Sequence, residues 1–109
     1  MTATRKPPPG TRAEQIYKQW VTFHRANPRV YELFEYYTFQ TIQAGHKRYS
    51  ADAVVHRIRW HVNIETRPVD EFKINNNFVS YYARLFMRKN RQYSGFFETR
   101  VRTSVRRVS

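Results

Sequence analysis

Five polar side chains recur at intervals of four, three, four and three: Asn77, Tyr81, Arg84, Arg88 and Arg91. At about 100° per residue such positions fall on one narrow stripe of a helix. The stripe presents an amide, a phenol and three guanidinium groups. An Asn side chain pairs bidentately with adenine and an Arg with guanine, while further cations seat a helix on phosphates. Asn76 adds a second amide at the start. Asn76, Asn77, Tyr81, Arg84 and Arg88 are therefore the expected base-facing set. A second stripe, Phe78, Tyr82, Leu85 and Phe86, lies well away from the first and is expected to pack inward. The competing reading is an ordinary solvated helix face. Three features weigh against it: the single sign of the stripe, the Asn75-Asn76-Asn77 triplet at its start, and the basic segment that follows.

The charge balance points the same way. The chain has 109 residues, 20 of them Lys or Arg against 8 Asp or Glu, for a formal net charge of +12. From Phe72 onward Glu98 is the lone acid, and Arg outnumbers Lys. Self-repulsion on this scale is relieved by a polyanion, and Arg suits bidentate phosphate contact better than Lys. Arg57, Arg59, Arg91, Arg100 and Arg102 are the expected phosphate contacts. Arg57 and Arg59 belong to a second basic cluster with His56 and Trp60, preceded by Lys47 and Arg48. Arg59 beside Trp60 reads as a stacking pair or a backbone contact. The favoured reading of this cluster has Trp60 plugging the core edge with the arginines solvated.

No enzyme is expected, and no catalytic residue, metal ligand or cofactor is assigned. None of His24, His46, His56 and His61 stands four residues from another, as a helical metal pair would. Glu71-Phe72-Lys73 matches the Glu-x-Lys element of metal-dependent nucleases. That motif is short, and the mixed sheet that carries it is not in the pattern here. Three glycines provide no phosphate-binding loop, and the absence of Cys excludes disulfides and zinc–thiolate sites. No apolar run reaches the ~20 residues of a membrane span, and residues 1–10 lack the apolar core of a secretory signal. A cytosolic or nucleoid location, with no membrane partner, is the expectation.

Positioning these groups requires helices. Thr11 and Glu14 form a capping box ahead of the stripe Ile16, Trp20, Phe23. Asn27-Pro28 closes that helix and opens a second, with Asn27 as N-cap. Val30, Phe34, Tyr37 and Thr41 mark the inner face of the second helix, and Gly45 its stop. Ser50 caps a third helix carrying Val54, Val55, Ile58 and Val62. Pro68 forces a connector of about ten residues, with a short strand placed at Phe72-Lys73-Ile74. The fourth helix runs from the Asn triplet to near Asn90. Residues 93–103 then have a turn and strand-like alternation. The expected fold is mainly α: a compact bundle of about four helices with a short C-terminal β-hairpin or wing, of helix-turn-helix or winged-helix type. Residues 1–10 read as a disordered basic arm, 11–103 as a single nucleic-acid-binding domain, and 104–109 as a flexible basic tail.

Four segments together resemble a family of small uncharacterised proteins from bacterial and phage or prophage genomes. They are Phe23-His24-Arg25-Ala26-Asn27-Pro28, Arg57-Ile58-Arg59-Trp60-His61, Phe72-Lys73-Ile74-Asn75-Asn76-Asn77 with Tyr81-Tyr82-Ala83-Arg84, and Gly95-Phe96-Phe97-Glu98-Thr99-Arg100. The resemblance implies a mobile-element setting and carries no activity. The leading expectation is a regulator that binds duplex DNA through the fourth helix. RNA binding, with Tyr81, Tyr93, Phe96 and Phe97 exposed for stacking, is an alternative. An acidic host protein docked on the basic face is another, and a nuclease the least favoured. A homodimer would pair two half-sites, although no heptad specifies one.

Overall fold

The computed structural model describes residues 9–98. Within them lie four α-helices: α1 (Arg12–Ala26), α2 (Pro28–Gln43), α3 (Ala51–Trp60) and α4 (Val79–Lys89). A π-helical turn, His61–Glu65, extends α3, and 3-10 turns at Asn76–Phe78 and Arg91–Tyr93 flank α4.

Local chemistry sets the helix ends. The Thr11 hydroxyl accepts from the Glu14 amide at 3.1 Å, while the Glu14 carboxylate accepts from the Gly10 amide at 2.7 Å, one residue upstream of a standard capping box. Asn27 precedes α2 but its side chain makes no bond to that helix. Its amide donates to the Phe23 carbonyl at 3.0 Å, so it closes α1. Asn90 repeats the device at the end of α4, donating to the Phe86 carbonyl at 3.0 Å. Gly45, at φ 102°, terminates α2 in a Schellman motif: its amide donates to Ile42 and that of His46 to Thr41. Ser50 caps α3 through the Ala53 amide at 3.2 Å.

The core draws on every helix. Phe34, Ile58, Tyr82 and Phe86 are fully enclosed, and the inward stripe Phe78, Tyr82, Leu85, Phe86 is buried as its spacing requires. Aromatic rings form a continuous network: Trp20 and Phe34 meet Tyr82, and Phe39 meets Phe86 edge-on. Such contacts add to the area each ring removes from water.

Several expectations are corrected. Phe72-Lys73-Ile74 forms no strand, and among the described residues there is no strand to pair with it. Side chains satisfy its backbone instead. Asn63 grips Phe72 at both its amide (2.7 Å) and its carbonyl (2.9 Å), and Arg59 donates to the Ile74 carbonyl at 2.7 Å. The expected wing is not seen among the described residues either. Phe96 and Phe97 turn into the core, each 3% exposed: Phe97 against Phe34 and Phe86, and Phe96 against Tyr93 and Phe97. The Phe96 carbonyl accepts from the Tyr49 amide at 3.3 Å, tying this segment to the α2–α3 loop. Residues 99–103 of that expected wing lie outside the described residues, as do residues 1–8 of the arm and the 104–109 tail. Trp60 does not plug the core edge; it is 56% exposed.

Candidate nucleic-acid interface

α4 lies against the core through Val79, Tyr82, Ala83, Leu85 and Phe86. Its other side carries Asn77, Ser80, Tyr81, Arg84 and Arg88, and Arg91 follows in the 3-10 turn. Arg88, Lys89 and Arg91 are exposed, while Asn77, Ser80, Tyr81 and Arg84 are half-buried. From Phe72 to Phe97 the chain holds no Asp or Glu. The ion pairs among the described residues lie elsewhere: Lys18–Glu14, Arg29–Glu32, and Arg57 and His61 with Glu65. Arg84, Arg88, Lys89 and Arg91 therefore have no carboxylate partner there. Glu35, the acid nearest the end of α4, accepts from the Tyr31 hydroxyl and the Asn90 amide.

Not every expected residue is free on this face. Tyr81 stacks on Trp20 at 5.3 Å and tilts against Tyr17 at 5.7 Å, so one side of its ring belongs to the α1 contact. Arg84 lies 5.1 Å over the Tyr81 ring and donates to the Ser80 hydroxyl at 3.4 Å, which extends its guanidinium along the helix. Asn76 is exposed, but its side-chain oxygen accepts from Arg59 at 2.7 Å. Arg59 is thus a clamp holding the connector and the start of α4 to α3. Lys89 covers the Tyr31 ring at 5.3 Å.

The structure does not bring Arg57 to this face. Its guanidinium sits 4.6 Å over the Tyr37 ring of α2 and pairs with Glu65 at 3.3 Å. Arg100 and Arg102 lie outside the described residues. Among the expected stacking rings Phe96 and Phe97 are buried, and Tyr93 is half-buried against Phe39 and Phe86. Base stacking on Phe96 and Phe97 is overturned by that burial. Glu71 and Lys73 are exposed in the connector, away from any strand among the described residues.

Electrostatics around α4 follow from burial. Enclosure pushes the Tyr82 phenol up. His24, stacked on Trp20 at 5.2 Å and edge-on to Tyr31 and Tyr82, is held below its ordinary value by burial and then by the Lys89 cation. Its buried Nδ1 has no partner among the described residues.

Sequence reading missed a second polar centre, on α2 and the π-helical turn. His61 and Glu65 meet at 2.7 Å, and this hydrogen bond, followed in effect by Arg57, holds the Glu65 carboxyl below the usual range. The available signal was the His–Glu spacing of four. No family model, curated protein or solved structure matches the chain.

Proposed function

We propose that the protein binds duplex nucleic acid, foremost DNA, through the outer face of α4. One observation carries the reading: four consecutive cations of α4 and its following turn, Arg84, Arg88, Lys89 and Arg91, have no carboxylate partner among the described residues, on a stretch free of acids. A surface shaped only for solubility would interleave both signs. Arg88 and Arg91, the most accessible, contact phosphates. Asn77 and Arg84, half-buried and steadied by neighbours, reach base edges. Tyr81 supports Arg84 from below, and Asn76 serves the fold through Arg59. Asn77 stands at the N-terminal end of the helix, as base-reading groups do in groove-inserted helices. The connector over 66–75 is far longer than the turn of a helix-turn-helix, so the docking geometry is the protein's own. A regulatory role of the phage or prophage kind follows the resemblance and is part of the proposal.

The test is the salt dependence of duplex binding by fluorescence anisotropy. Each phosphate contact contributes about −0.9 to the slope of log K against log salt. Arg88→Ala and Arg91→Ala should each flatten the slope by about that amount and weaken all sequences alike. Arg84→Ala should instead relax sequence preference, at about 1–3 kcal/mol. Unchanged slopes in both surface variants would remove α4 from the interface.

A further inference from the structure

A cleft between α2 and the α3–π-turn segment takes no part in the reading above, and no residue of α4 lines it. It has two lobes, of about 630 and 270 Å³, that share Tyr37, Gln40 and Arg57. Together they fall in the range of small-ligand sites, roughly 300–1,000 Å³. Its groups are complementary in kind. The Arg57 guanidinium sits over the Tyr37 ring, and among the described residues one of its five N–H groups is engaged, by Glu65. Glu65 is itself fixed by His61 through its other oxygen, which sets the direction of the guanidinium. Tyr36, 57% exposed, presents its ring at one end, and Tyr49, 37% exposed, stands at the other. The Gln40 side-chain amide is exposed one helical turn beyond Tyr36 and makes no hydrogen bond among the described residues.

We propose that this cleft binds a nucleoside phosphate, with the base stacked on Tyr36, its edge at the Gln40 amide and its phosphate on Arg57. A planar base needs an exposed aromatic face, a phosphate needs a fork of N–H donors, and a base edge needs a donor–acceptor pair. The cleft offers those three: the Tyr36 ring is exposed beyond its T-shaped contact with Tyr37, Gln40 makes no side-chain hydrogen bond among the described residues, and Arg57 has N–H groups beyond the one paired with Glu65. The same chemistry is offered by a free nucleotide and by one residue of a single strand; Tyr49 at the far end provides a platform for a neighbouring base. The cleft's own charges balance, Arg29 against Glu32 and Arg57 against Glu65. Stacking therefore carries the affinity, and the salt slope is that of about one phosphate, −0.7 for a single strand. This site is independent of the duplex face, with which it shares no residue.

The experiment is anisotropy of a short fluorescein-labelled oligodeoxythymidine, with thymidine monophosphate as competitor. Tyr36→Ala should weaken oligomer binding about tenfold or more, the size of one lost base–aromatic stack. Tyr36→Phe should keep it, and Arg57→Gln should lose the residual salt dependence. Both positions are exposed, and unchanged thermal melts would show the fold intact. Duplex binding should be unaffected in all three variants. Displacement of the oligomer by the mononucleotide assigns the site to free nucleotide, and oligomer binding without displacement assigns it to a strand. Oligomer binding that is absent in the wild type, or equal in the wild type, Tyr36→Ala and Arg57→Gln, overturns the proposal.

Discussion

Replacing Arg59 by Met removes the guanidinium but keeps most of the apolar stem, and so isolates the clamp between α3 and the start of α4. Two short hydrogen bonds are lost, to the Ile74 carbonyl and to the Asn76 side chain, both at 2.7 Å. A bond from a charged donor contributes about 1.5–3 kcal/mol. The bond to the Ile74 carbonyl is only part-buried, so water can replace some of it and the lower end of that range applies, about 1.5 kcal/mol. Asn76 is exposed and regains water, so it adds about a third as much, for a total of about 2 kcal/mol. With a urea m-value near the low end of ~1–3 kcal/mol/M, the denaturation midpoint falls by on the order of 1.5 M. Amide exchange at Asn77 to Tyr81 should quicken, because the turn leading into α4 is released. A midpoint within about 0.3 M of wild type, together with weakened duplex binding, would refute this reasoning. Arg59 would then be a phosphate contact, as its place in a basic cluster suggested.

Gly45→Ala forces a side chain into the left-handed region at φ 102°, although nothing lies within 4 Å of the added Cβ. The cost is conformational, about 1 kcal/mol or slightly more, and a thermal melt should show a loss of roughly 4–8 °C; an unchanged melt contradicts the Schellman assignment. His24 gives a pH dependence of definite sign. Its folded value lies below the unfolded value of about 6.5, so the unfolded chain binds the proton more readily. Stability is fully present above about pH 6.5 and declines as pH falls from there toward the folded value. Urea midpoints measured from pH ~7.5 down to ~5 should show that decline in the wild type and lose most of it in His24→Gln. Equal slopes in the two proteins would place His24 in solvent.

The helix ends were legible because each depends on one or two residues. Thr11, Ser50, Gly45 and the Asn75–Asn77 triplet act through local geometry, and the inward stripe of α4 follows from the period alone. The failures share a cause in tertiary contacts that leave no local mark. Phe96 and Phe97 look like strand residues, but the core recruits both rings, Phe97 beside Phe34 and Phe86 and Phe96 beside Tyr93. Phe72 to Ile74 reads as a strand by composition, yet its partners are the side chains of Asn63 and Arg59. For the site, spacing located the α4 face and its cations. Periodicity does not report which basic residues the fold itself employs. Arg59 and Arg57 are indistinguishable on a helical wheel from free cations, until the connector and α2 are packed beside them. Tyr81 falls on the polar stripe by angle, but Trp20 lies close enough to claim its ring.

The central claim, that the cationic face of α4 meets a polyanion, is tested most directly by titrating wild-type protein with random-sequence duplex DNA at about 50 and 200 mM salt. Three phosphate contacts from Arg88, Lys89 and Arg91 give a slope of about −2.7, which is a loss of affinity of roughly 40-fold over that fourfold range. A loss of at least that size, reduced by about tenfold when Arg88 and Arg91 are both replaced by Ala, is the predicted result. No binding at the lower salt, or binding indifferent to salt and to those two residues, would contradict it.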